Sequence, residues 1–295
     1  MTMPTALNLS YLNARRVLPQ QCRSLHLIQV GCGGIGGQLA PSTARIAKEC
    51  QTRFEHVDVS FYDGDTVEDK NIRRQQFCEA EIGRNKADSL AFRLNMAWGM
   101  DIIANPTHLT KDTMHSITKY DTLTILLGCV DNANARRVLH AHLSRQHPET
   151  NSPVWWIDGG CIRTQGQILI GNTQRIEQLK AGFTLPGVIT SLPSPALLHP
   201  ELLKKQADER PRRRQSCAEH AITDPQSLTI NGIVAAHMAD YLLRLLVTKD
   251  LTRFATYIDM NSGSVRSLYN TDTQLEQSLN LKPGSLTPST PSVAA

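Results

Sequence analysis

The residues Gly31-Cys-Gly33-Gly34-Ile35-Gly36 carry the first chemical signal. They fit the spacing G-x-G-x-x-G, follow the apolar segment Leu25 to Val30 and lead into a segment of helical character. Glycines there let a backbone turn sharply and approach phosphate oxygens. The helix that follows offers unpaired amides and the positive end of its dipole. The motif predicts a nucleotide site but does not by itself separate ATP from NAD or FAD. Asp63 closes the next strand-like segment, where a carboxylate can accept hydrogen bonds from both ribose hydroxyls. It follows Gly36 by 27 residues, somewhat beyond the usual ~20. Asp65 is the competing carboxylate, and either residue could instead cap a turn.

Two strings of cations and amides come next, Asn71-Ile-Arg73-Arg74-Gln75 and Gly83-Arg84-Asn85-Lys86. A nicotinamide enzyme has no use for so many donors just past its ribose carboxylate. A triphosphate does, because Arg supplies a planar fork and Lys a compact charge. A third string, Asp131-Asn132-Ala-Asn134-Ala-Arg136-Arg137, stands where another strand runs into a helix. Ligands bind at the carboxyl ends of parallel strands. Asp131 is placed to hold Mg²⁺ against phosphates, which needs only one or two carboxylates, and it is also a good helix N-cap.

The elements that must position these residues alternate. Strands are predicted at Leu25 to Val30, His56 to Tyr62 and Thr122 to Cys129, with helices at Gln38 to Cys50 (Pro41 near its first turns), Lys86 to Met96 and Ala133 to Leu143. Val154 to Ile157 and Gln167 to Ile170 suggest two more strands around a glycine turn. Leu228 to Leu246 is helical, and Arg253 to Met260 with Ser264 to Tyr269 forms a closing hairpin. The predicted fold is α/β, a Rossmann-like doubly wound sheet, parallel in its N-terminal half. Residues 1–24 read as an arm, 25–270 as one domain with an irregular crossover at 171–216, and 271–295 as a disordered tail.

Composition narrows the function classes. The 295 residues carry 31 Lys+Arg against 27 Asp+Glu, and the +4 balance does not suggest a nucleic-acid binder. Hydrophobic residues at 40% suffice for a real core. No uninterrupted apolar run reaches ~18 residues, the length of a membrane span; Ile230 to Val247 is broken by Asn231, His237, Asp240 and Arg244. The seven cysteines are scattered and never spaced C-x-x-C, which reads as reduced thiols in a cytoplasmic protein.

Taken in order, these strings resemble the ThiF/MoeB/E1-like adenylating enzymes, which activate the C-terminus of small ubiquitin-like proteins. The resemblance runs from about Leu25 to Tyr269. It also rests on Tyr62-Asp63-Gly-Asp65-Thr-Val67, Ile157-Asp-Gly-Gly-Cys-Ile-Arg163, Gly166-Gln-Ile168 and Ser216-Cys217-Ala-Glu219 before the last long helix. The sequence also resembles the ThiF-like proteins of PRTRC plasmid cassettes. The resemblance implies an antiparallel C-terminal extension of the sheet. It implies that the Gly31 to Gly36 backbone lines ATP and that Asp63 binds the ribose. Asn71, Arg74 and Lys86 would contact the triphosphate, Asp131 would coordinate Mg²⁺, and Asn132 and Arg136 would join the nucleotide site. The partner would be a small ubiquitin-like or sulfur-carrier protein whose C-terminal glycine carboxylate attacks the α-phosphate. The family further implies a homodimer in which an N-terminal Arg, here Arg15 or Arg16, reaches the other subunit's site.

Two departures stand out. The family's paired C-x-x-C zinc ligands are absent and no cysteine follows Cys217, so no structural zinc is expected. The crossover differs from the usual one. Cys217 lies among Arg212, Arg213, Arg214 and His220, which could lower a thiol pKa. It is a candidate for a covalent link to the activated partner, against the plainer reading of an ordinary loop cysteine. Two rivals remain: an NAD-dependent oxidoreductase, and a catalytically silent ThiF-like scaffold in a plasmid-associated assembly.

Overall fold

The computed structural model describes residues 9–115, 119–143, 151–205 and 228–286. Its ten strands are β1 (Arg16–Val17), β2 (Ser24–Val30), β3 (His56–Tyr62), β4 (Ile103–Asn105), β5 (Thr122–Gly128), β6 (Val154–Ile162), β7 (Gln165–Gly171), β8 (Val188–Ile189), β9 (Arg253–Asp259) and β10 (Ser264–Tyr269). Eight of them form one sheet in the order β10-β9-β7-β6-β5-β2-β3-β4. From β4 to β6 all neighbours are parallel. From β6 to β10 they are antiparallel. The doubly wound architecture with an antiparallel extension is therefore present. The chain leaves β2 for β3 on one side and returns to β5 on the other, so the switch point of the sheet lies directly beyond Val30.

Helices cover both faces, and β2 shows why. Its odd-numbered Leu25 and Leu27 face one apolar cluster, and its even-numbered Ile28 and Val30 face the other. The first cluster takes α1 (Gly34–Cys50), α3 (Lys86–Trp98) and the long helix α8 (Leu228–Leu243). The second takes α5 (Ala133–Leu143) and α7 (Pro195–Leu198). The shorter helices α2 (Asp69–Ile72), α4 (Lys111–His115) and α6 (Ile176–Ala181) lie in connections. Trp155 and Trp156 are fully buried, one in each cluster, as strand packing. By length and composition alone, Thr229–Thr248 could cross a membrane. Here it packs on α1, with Ile230, Val234, Met238, Tyr241, Leu242, Leu245 and Leu246 buried.

Several expectations are corrected. Helix α1 starts at Gly34, so Pro41 sits inside it and not near its first turns. The pair Gly159-Gly160 lies within β6, and the turn into β7 is made by Arg163 in the left-handed region (φ 54°). A Cβ on Gly159 would stand 2.2 Å from the Met238 sulfur, so this glycine is needed for close docking of α8. The crossover is not irregular over its described part: it holds α6, β8, α7 and a 3₁₀ turn, Pro200–Leu203. The tail is helical at α9 (Asp272–Ser278), and Leu275 and Leu286 are buried in the core. The arm is tied down as well, since β1 pairs with β8. Arg15 bonds Asp272 at 3.1 Å and lies 4.9 Å over the Phe183 ring, so it is engaged within its own chain. Cys217 and the arginines at 212–214 lie outside the described residues.

One buried polar pair stitches β2 to β3. His26 Nε2 meets Ser60 Oγ at 2.9 Å. Burial pushes the His26 pKa down from 6.5 to about 4; Asp58 opposes the shift and Lys119 adds to it. The folded chain thus holds this imidazole neutral while the unfolded chain protonates it below 6.5. Its contribution is complete above pH 6.5 and is lost as pH falls toward 4. Urea titrations at pH 7, 5 and 4 should therefore show a smaller acid loss for His26→Gln than for the wild type. Parallel losses would contradict this.

Candidate functional site

The carboxyl ends of β2, β3 and β5 finish level with one another, Val30 opposite both Tyr62 and Gly128. Beyond them opens a cleft of about 1340 Å³. The glycine turn forms its near wall. Gly31 adopts φ +93°, and a Cβ there would stand 2.5 Å from the Cys129 carbonyl oxygen. A Cβ on Gly36 would stand 2.0 Å from the Gly31 carbonyl oxygen. These two positions therefore exclude any side chain. Gly31, Gly33, Gly34 and Ile35 line the cleft, whereas Gly36 packs behind the turn. Among the described residues no side chain caps α1, and its first residues, Gly34 and Ile35, line the cleft.

Asp63 fastens this turn. Its Oδ2 accepts the Cys32 amide at 2.7 Å and its Oδ1 accepts the Asp65 amide at 2.8 Å. Burial pushes its pKa up, and the two amide bonds and Lys86 oppose that shift. Asp63 lines the cleft, and its side chain joins the end of β3 to the glycine turn.

The cations divide. Lys86 is 7% exposed, lines the cleft, and its Nζ lies 3.0 Å from Asp65 Oδ2. Asp65, the rival ribose carboxylate, thus serves as the partner of Lys86. Arg74 lines the cleft; Arg84 is exposed and does not. Asn71 also does not line it. Its Oδ1 accepts the Glu68 amide at 2.9 Å in a capping box of α2, so a direct triphosphate contact has no geometric support here. Asn85 caps α3 and donates to the carbonyls of Asp63 and Asp65. Gln75, the last amide of the string, lines the cleft with its side chain against Gly33, and its Oε1 is buried without a hydrogen-bond partner among the described residues.

On the opposite wall, Asp131 is exposed and lines the cleft. Asn132 Oδ1 accepts the Ala135 amide at 2.9 Å, so Asn132 caps α5 and leaves Asp131 unneeded for that task. Arg136 reaches the floor but is committed to Asp158: its Nε lies 3.2 Å from each carboxylate oxygen. Asp158 is fully buried, which raises its pKa against the pull of Arg136. Asp158 received no role from the sequence, though it stands in the Ile157 to Arg163 string. Cys161 also lines the cleft, donating to Asn231 Oδ1 at 3.2 Å. Burial pushes its thiol up to about 11, which suits packing and not nucleophilic attack. Among the described residues no group of three or more His, Cys, Asp or Glu could hold a metal ion. A Mg²⁺ ion held mainly by phosphate oxygens does not need one, and the exposed carboxylate of Asp131 fits that case.

The family model described as ThiF family matches residues 11–278. The chain belongs to the ThiF family. No curated protein sequence matches. Among solved structures, E. coli MccB with ATP is similar at a TM-score of 0.53 and 15% identity, over 83% of this chain and 63% of that one. E. coli MccB with AMPCPP and MccA gives 0.52 and 14%, over 88% and 65%. PaaA gives 0.52 and 14%, over 83% and 63%. At these identities the likeness concerns the fold. The chain spans less than two thirds of the length of these relatives.

The Asp63 clasp makes a local prediction. Asp63→Asn replaces a charge-assisted acceptor by a neutral one and loses about 1.4 kcal/mol or more, which is tenfold. Hydrogen exchange at the Cys32 amide should quicken by about that factor. Unchanged protection would show that the turn holds itself.

Proposed function

We propose that this protein adenylates the C-terminal carboxylate of a small protein or peptide, a ubiquitin-like or sulfur-carrier protein ending in glycine, at the expense of ATP. One observation carries the reading. A single cleft collects the uncapped amides of α1, Asp63, Arg74, Lys86 and Asp131 at one end, and runs past Gly160 and Cys161 to Gln167, Tyr257 and Arg266 of the antiparallel half at the other. The first end has the donors of a triphosphate site, and the second has room for an extended tail. An NAD enzyme would have no triphosphate for Arg74, Lys86 and Asp131 to face. The structures of E. coli MccB with ATP and with MccA are a precedent in this fold for ATP and a second molecule bound by one protein.

In the proposed reaction, a carboxylate oxygen of the substrate attacks the α-phosphorus. The bond from that phosphorus to the bridging oxygen of the β-phosphate breaks, and its electron pair leaves with pyrophosphate. An acyl-adenylate remains. Asp63 holds the ribose, and the α1 amides with Arg74 and Lys86 hold the phosphates. Asp131 would hold Mg²⁺, whose charge offsets that of the phosphates. No protein nucleophile is required; catalysis rests on alignment and charge neutralisation in a partly enclosed cleft.

ATP–pyrophosphate exchange tests this, with Mg²⁺ and a panel of glycine-terminated ubiquitin-like proteins. Exchange that depends on one partner and falls by about 10²-fold or more in Asp131→Ala is expected. ATP binding without exchange for any partner would favour a scaffold. Absence of ATP binding would overturn the proposal.

A further inference from the structure

The Arg136–Asp158 pair lies on the floor of the cleft, and no step above uses it. Asp158 is fully buried and Arg136 is 6% exposed. The walls are cut away around both partners: a Cβ on Gly128 would stand 2.8 Å from Asp158 Oδ1, and one on Gly160 would stand 3.1 Å from Arg136 Nη2. Stability does not explain such a pair. Taking two charges out of water costs several kcal/mol per ion, and well-packed apolar residues often serve as well. The described bonds from Arg136 to Asp158 use Nε alone. Guanidinium has four further N–H donors, on Nη1 and Nη2. Nη2 lies beside Gly160, and Arg136 and Gly160 both line the cleft. The position indicates which anion those donors meet. Strands are about 4.8 Å apart, so β6, two strands from β2, lies about 10 Å from the glycine turn. That is beyond the phosphate end and toward the antiparallel half.

We propose that Arg136 receives the carboxylate of the incoming substrate and that Asp158 is the positioning residue that aims it. The inference rests on the adenylation reading and adds to it the group that recognises the acyl substrate. Asp158 fixes the guanidinium plane through Nε, so the opposite edge presents a preformed fork to a carboxylate. Gly160 keeps the approach to that fork open.

The test uses acetyl-Gly-Gly and its C-terminal amide as probes, titrated without nucleotide. The readout is the side-chain Nε–H resonance of Arg136, identified by its loss in Arg136→Lys. In the wild type the resonance should shift with the free acid and not with the amide. Asp158→Asn leaves the buried guanidinium without its counter-charge, so its melting temperature should fall; the folded variant should bind acetyl-Gly-Gly about ten-fold more weakly, the scale of one charge-assisted hydrogen bond. Arg136→Lys keeps a charge opposite Asp158 but lacks the fork. By calorimetry it should lose binding likewise, and it decides the matter if Asp158→Asn does not fold. An equal response to acid and amide, no response to either, or wild-type affinity in Arg136→Lys overturns the proposal. A chain that binds acetyl-Gly-Gly through Arg136 but never exchanges pyrophosphate would instead count against the adenylation reading alone.

Discussion

The bond from the Cys32 amide to the Asp63 carboxylate is the contact on which the cleft depends. It ties the end of β3 to a turn in which Gly31 is left-handed and Gly36 has no room for a side chain. A second bond, from the Asp65 amide, turns the chain toward Lys86. One buried carboxylate thus sets the glycine turn, the start of α1 and the approach of Lys86. Burial raises its pKa, and the amide donors aimed at its oxygens offset part of that cost to the charged form. A ligand that brings hydroxyl donors to the same carboxylate would add to bonds already made.

The second half of the cleft follows a different rule. Here glycines make space for other groups. Gly159 admits Met238 of α8 from one face of β6, and Gly160 admits the Arg136 guanidinium from the other. Side chains alternate across a strand, so two adjacent glycines serve two opposite faces. That is why a pair resembling a turn is found in the middle of a strand. The same strand carries Asp158, whose charge is offset by Arg136 across the edge of the cleft.

Much of this was legible in the sequence. The bounds of β3, α5 and β10 coincide with the periodicity, and the parallel half follows from the alternation of strand and helix. The glycine turn, Asp63, Arg74, Lys86, Asp131 and Arg136 do gather in one cleft. What spacing does not reveal is how polar side chains divide their work. Asn71 and Asn85 have the composition of phosphate ligands, yet both hold backbone amides locally, as Asn often does. Asp158 lay hidden in an apolar strand because its meaning depends on Arg136, 22 residues away in sequence. Over their described residues the crossover and the tail depart from the expected loops because prolines and serines suggest loops, whereas short capped helices such as Pro195–Leu198 use the same residues.

The central claim is that the Asp63-fastened glycine turn cradles a triphosphate. A crystal structure with a non-hydrolysable ATP analogue and Mg²⁺ tests it most directly. The account predicts phosphate oxygens over the amides of Gly33 to Ile35 and a ribose hydroxyl within hydrogen-bond distance of Asp63. A nucleotide seated elsewhere, or with its phosphates turned away from that turn, would contradict it.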